Sequence, residues 1–85
     1  MGQRDIINYL IKYPTIWISR DEILRATRMS KDAANKAITK LVQAGEIERR
    51  YERIDNPDKP GTKRVITWVK LTTYYKEQLN KEGIL

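Results

Sequence analysis

The segment "DNPDKPGT", residues 55–62, decides more about this chain than any other stretch. Its prolines and glycine cannot be threaded through a sheet, yet "EIERRYERI" before it and "KRVITWVKL" after it both read as strands. The two segments must turn back on each other as a hairpin with a long tip. Beyond Ile47 the first strand carries charge on both faces, with Glu48, Arg50 and Glu52 alternating with Arg49, Tyr51 and Arg53. An apolar core cannot accept such a segment, so the distal hairpin projects into solvent or onto a ligand.

What precedes the hairpin has helical periodicity. Ile6, Ile7, Leu10 and Ile11 fall on one helical face and Pro14 follows, which predicts a core helix over Gln3 to Tyr13. "TIWIS" is β-branched and aromatic and fits one short strand before Ser19. Ser19 and Glu22 have the spacing of a capping box, opening a second helix over Arg20 to Thr27 with Ile23 and Leu24 as its apolar contacts. Ser30 is the next N-cap, with Asp32 favourably placed in the first turn of a third helix that runs from Lys31 to about Ala44. Ala34, Ala37, Ile38 and Leu41 share one face of that helix, with Val42 at its margin. Asp32, Asn35, Lys36, Thr39 and Gln43 form the opposite face, flanked by Lys40. Gly45 is a natural stop because it enters the left-handed region without a Cβ clash. After the hairpin, the tail from Thr72 to Asn80 is compatible with a short final helix through Tyr75, Gln78 and Leu79. The fold class expected is α+β: a three-helix core with a small antiparallel sheet and a hairpin, in one domain spanning residues 1–71, followed by a C-terminal extension over 72–85.

Composition narrows the function. Eighty-five residues make one small domain with a core just large enough for independent folding. Cysteine and histidine are both absent, which removes disulfides, thiolate or imidazole metal sites and Cys/His nucleophilic machinery. The only serines, Ser19 and Ser30, stand at helix caps, so no enzyme, cofactor or metal is expected. A net charge of +6 and a pI near 9.7 favour an anionic partner, either nucleic acid or an acidic membrane surface. No helix pairs a basic face with a broad exposed apolar one, so the membrane surface is the weaker choice. The apolar runs are too short to cross a bilayer and no secretion signal is evident near the first residues, so the chain reads as cytoplasmic.

The order helix, short strand, helix, turn, helix, hairpin resembles the winged helix-turn-helix DNA-binding domains, especially the compact bacterial, archaeal and viral transcription regulators. The resemblance covers roughly Gln3 to Leu71. It is carried most strongly by "DEILRATRMSKDAANKAITKLVQAGEIERR", in which Leu41, Gly45, Ile47 and Arg49 fill the pattern Leu-x-x-x-Gly-x-Ile-x-Arg that follows the family's recognition helix. The chain departs from the family at the turn: Arg28 stands where Gly is frequent, and Thr27 where a bulkier aliphatic is usual. A left-handed Arg28 would cost on the order of 1 kcal/mol.

The resemblance implies duplex DNA as partner, with the third helix in the major groove and the hairpin as a wing on the flanking backbone or minor groove. It carries base contacts to Lys31, Asp32, Asn35 and Lys36. Asn suits adenine and Lys suits guanine acceptors, while Asp accepts from cytosine N4 or only supports the helix start. The plainer alternative is a surface pair between Asp32 and Lys36, worth roughly 0.2 to 0.5 kcal/mol. Arg20, Arg28, Ser30, Thr39 and Lys40 are the candidates for phosphate contacts, and Arg53, Lys59, Lys63 and Arg64 those of the wing. Both faces of "RVITWVKL" are apolar, so one needs a cover beyond the helical core. Trp17, between the inward candidates Ile16 and Ile18, is expected beside Trp68 on that outer face, with Tyr74, Tyr75 and Leu79 of the tail over them or a second subunit in their place. The expectation is a homodimeric transcriptional regulator reading a two-fold site. A winged-helix module that binds an acidic protein, or a DNA-binding factor of replication or plasmid maintenance, is the alternative. The Ile-, Lys- and Tyr-rich composition is similar to that of small archaeal and viral proteins, and a viral chain would act in the host cytoplasm.

Overall fold

A computed structural model describes residues 2–85. The elements are α1 (Gly2–Ile11), β1 (Ile18–Ser19), α2 (Arg20–Thr27), α3 (Lys31–Gln43), β2 (Ile47–Asp55), β3 (Lys63–Leu71) and α4 (Thr73–Lys81). The strands form one antiparallel sheet in the order β1-β3-β2, an α+β arrangement consistent with a small winged-helix-like fold.

The helix ends follow from their side chains. Ser19 accepts from the Glu22 N–H at 3.2 Å and Ser30 from the Ala33 N–H at 3.2 Å, so α2 and α3 each begin where a hydroxyl satisfies a free backbone donor. The reciprocal arm of the capping box is not made. Glu22 lies beside the Tyr9 phenol instead, whose pKa is raised by partial burial and then by that carboxylate. At the end of α3 the Gly45 N–H donates to Val42 and the Glu46 N–H to Leu41, both at 3.0 Å, with Gly45 at φ +75. That is a Schellman closure, and it turns the chain so that Ile47 re-enters the core.

The α2–α3 turn accounts for Thr27 and Arg28. Arg28 is left-handed, φ 59 and ψ 23. Thr27 Oγ1 donates to the Ile23 carbonyl at 2.7 Å and accepts from the Met29 N–H at 3.3 Å. Its side chain closes the turn from inside and leaves Arg28 exposed on the surface.

Ile6, Leu10, Ile18, Ile23, Ile38, Leu41, Ile47, Val69 and Leu71 form one core between the helices and the inner face of the sheet. Leu79 belongs to it as well, with Tyr75 packed at its edge, so α4 rests against the core through these two side chains. Thr72 fastens α4 in place: its hydroxyl accepts from the Tyr75 N–H at 3.1 Å and donates to the Gly45 carbonyl at 2.7 Å.

Three expectations are corrected. The helix α1 stops at Ile11, because the N–H groups of Lys12 and Tyr13 bond three residues back, to Tyr9 and Leu10, and tighten the last turn. The strand in "TIWIS" shrinks to Ile18–Ser19, paired with Val69 and Trp68, and Ile16 is exposed instead of inward. The tail residues do not cover the tryptophans: Tyr75 and Leu79 pack beside α1 on the helical side of the sheet, and Tyr74 points to solvent.

The molecule measures 48 × 23 × 21 Å, with a radius of gyration of 13.9 Å. A compact domain of this length would have about 12 Å. The excess is the distal hairpin, whose strands run on past the end of the core.

Candidate nucleic-acid interface

The third helix is anchored through Ala34, Ala37, Ile38 and Leu41, all buried. Small alanines at two of these positions let it lie close to its neighbours. Lys31, Asp32, Lys36 and Lys40 are therefore exposed on its other side, with Asn35 and Thr39 half-buried at the flank. Asp32 and Lys36 do not form the surface pair that their spacing allows, since the sole ion pair among the described residues is Lys63 with Asp55. Both remain free for an external partner.

Two arginines brace the flank. Arg20, the first residue of α2, donates from Nη1 to Asn35 Oδ1 at 2.9 Å. One turn further along α3, Arg49 of β2 donates from Nη1 to Thr39 Oγ1 at 3.2 Å. The first bond ties the two helices of the turn together, and the second ties the hairpin root to α3. Arg20 is thus a brace in addition to a candidate phosphate contact. Its Nε is buried without a partner.

The alternation of β2 follows from Ile47, which is buried against the helices. Arg49, Tyr51, Arg53 and Asp55 continue that inner face, paired across to Val69, Thr67, Val65 and Lys63. Where the core ends at Thr67 the face carries on into solvent, with Tyr51 61% and Val65 49% exposed. Arg49 also lies 5.6 Å from the Tyr51 ring centroid, a cation–π contact that leads from α3 onto the hairpin. A basic, partly aromatic surface therefore runs from Lys36 and Lys40 across Arg49 and Tyr51 to Arg53.

At the tip, Asn56 accepts from the Asp58 N–H at 3.0 Å, and the Thr62 N–H donates to Lys59, so the loop closes on itself and holds Lys59 outward. Lys63 is paired with Asp55, while Arg64 is free and exposed. A cleft of about 210 Å³ lies between the starts of α2 and α3 and the free edge of β3, lined by Arg20, Asp21, Lys31, Arg64, Ile66 and Thr67. Three cations against one carboxylate make it attractive to a phosphate.

No protein-family model matches this chain, and no curated protein resembles it. What can be said of its chemistry comes from the side chains themselves. Arg49 and Tyr51 were not among the contact residues expected from the sequence. The signal was present: the strand alternation fixed by Ile47 puts them on the same face as Arg53. The bond from Arg49 to Thr39 was not readable, because it depends on how the hairpin docks on α3.

The outer face of the sheet is also partly settled. Trp17 and Trp68 do lie on it, and each is half-buried. The Trp17 ring is flanked by the guanidinium of Arg50, 4.9 Å from the centroid, and the ammonium of Lys70, at 5.7 Å. Cationic side chains shield much of what the sequence suggests as an apolar patch. Among the described residues no cluster of three or more potential metal-binding side chains occurs, and no helix is long and apolar enough to cross a membrane.

Proposed function

We propose that this chain is a winged helix-turn-helix protein that binds duplex DNA, with the outer face of α3 in the major groove and the β2–β3 hairpin on the adjoining backbone or minor groove. The observation that carries the reading is the continuity of the basic surface from α3 to the hairpin, secured at their junction by the Arg49–Thr39 bond. An α-helix fills the major groove only if its inner side is held by other elements and its outer side bears polar and cationic groups, and α3 meets both conditions. Lys31, Lys36 and Lys40 supply charge along the helix, and Arg53, Lys59 and Arg64 supply it along the wing. The cleft of Arg20, Lys31 and Arg64 adds a seat for a backbone phosphate.

Transcriptional regulation as a homodimer is the role this reading favours, with two copies placing their α3 helices about one helical turn apart, ~34 Å. No catalytic step, metal or cofactor is part of the proposal. The alternative of a scaffold for an acidic protein is less well supported, because α3 alternates small polar and cationic side chains as a groove-reading helix needs.

Titration of a mixed-sequence duplex at several salt concentrations tests it. If about five phosphates are neutralised, log K should fall against log salt with a slope of about −4 to −5. Absence of binding at low salt, or an affinity indifferent to salt, would overturn the proposal.

A further inference from the structure

The polar flank of α3 has its acceptors already engaged. Asn35 Oδ1 receives an N–H from Arg20 and Thr39 Oγ1 one from Arg49. These positions are one turn apart and stand in line on the same side of the helix. Arginine has donors only, so the Asn35 amide is oriented without ambiguity: the oxygen faces the guanidinium and the NH2 group faces away. Lys31, Lys36 and Lys40 around them add further donors and no acceptors. On this surface Asp32 at the helix start and Gln43 at its end are the remaining side-chain acceptors without an arginine on them.

Arg20 is itself uncompensated. No carboxylate pairs with it among the described residues, and its Nε is buried with no partner. A positive charge therefore stands directly behind the Asn35 amide.

We propose that Arg20 positions Asn35 so that α3 reads acceptor edges in the major groove, favouring guanine over adenine at the base facing Asn35. The inference rests on the DNA-binding reading above. Guanine offers two acceptors there, N7 and O6, whereas adenine offers N7 and the N6 amine, a donor. An unconstrained asparagine suits adenine because its oxygen takes the amine while its NH2 reaches N7. Here the oxygen is held by Arg20. Its second lone pair is still open, but an amine placed there would share the oxygen with a charged guanidinium, which weakens adenine recognition. The free NH2 of Asn35, with Lys31 or Lys36 alongside, matches N7 and O6 instead. Arg20 acts through Asn35 and is a positioning residue, not a base contact.

The test is selection of binding sites from a randomised duplex pool by the full chain, with Asn35→Ala and Arg20→Met run in parallel. Asn35→Ala identifies the base pair under Asn35 as the one whose preference disappears. Arg20→Met keeps the aliphatic stem and removes every donor, and its melting curve reports that it is folded. The wild-type chain should select guanine at that pair, roughly fivefold to tenfold over adenine. Arg20→Met should move the preference at the same pair toward adenine, a change that loss of a phosphate contact alone would not produce. Adenine selected by the wild type, or guanine unchanged in Arg20→Met, overturns the positioning role while leaving DNA binding intact. A pool that is never retained, even at low salt, overturns the DNA reading on which it rests.

Discussion

The two ends of the hairpin share one uninterrupted ladder, from Ile47 opposite Leu71 to Asp55 opposite Lys63, yet they belong to different environments. At the root Ile47 is 2% and Leu71 1% exposed, and both are part of the core. At the tip both side chains are exposed, and their one contact is an ion pair in water. Backbone pairing is the same throughout, so what separates the ends is side-chain burial. The root contributes stability and fixes the direction of the strands. The tip contributes almost none and is free to vary its chemistry, which suits a surface that meets a ligand.

The root should give the largest effect. Leu71→Ala removes a buried side chain from the strand that touches both α4 and the helical core. A loss of about 2–5 kcal/mol is expected in denaturant unfolding. A loss under 1 kcal/mol would show that the root can collapse around the cavity, and would weaken the division between the two ends.

The two left-handed residues on either side of α3, Arg28 and Gly45, sharpen the same division, because they set how α3 and the hairpin leave the core. Gly45→Ala, at φ +75, should lower stability by about 1 kcal/mol, since a Cβ there meets open space but the backbone angle disfavours it. Arg28→Gly should act in the opposite direction, by roughly 0.5 kcal/mol, through relief of the same strain. Equal signs in thermal melts would mean that one turn rearranges when mutated.

Lys63→Ala should change stability least, by no more than about 0.5 kcal/mol, because an exposed pair contributes little. Arg64→Ala, which removes an unpaired cation of the hairpin, should be as mild for stability yet weaken binding to every duplex sequence alike and make the salt slope shallower by about one. A stability loss comparable to that of Leu71→Ala would dissolve the contrast altogether.

Alkaline titration reports on the core side. Tyr75 lies beside Glu46, and burial and then that carboxylate raise its pKa above the usual 10.0. The folded state thus favours the neutral phenol. Its contribution is present below pH 10 and is lost as pH rises through the folded-state pKa. Phenolate absorbance should show a phase above the usual 10.0 that Tyr75→Phe removes.

Much of this architecture is written in local signals. Ser19, Ser30 and Gly45 bound their helices because capping and left-handed closure act within four residues, and the prolines and glycine of the tip leave the chain one way to go. The alternating burial of β2 and β3 followed from where Ile47 and Leu71 sit. The tail was harder to read, since α4 has a weak apolar period and is held by Thr72, which reaches back to Gly45. The candidate interface divides in the same manner. The exposed lysines of α3 could be named from the helical wheel. The arginine braces join residues 15 and 10 positions apart through side chains alone, and no local pattern announces them. The bond from Arg20 to Asn35 is not legible in the sequence for that reason.

The central claim is that α3 and the hairpin form one DNA-binding surface, while α1 and α4 do not take part. Backbone amide chemical shifts recorded during titration with a duplex test it most directly. The largest changes are expected at Lys31 to Lys40, Arg49 to Arg53 and Lys63 to Val65, with the exposed side of α1 and α4 unmoved. Changes concentrated on Arg4, Tyr74 and the end of α4, or none at any salt concentration, would contradict it.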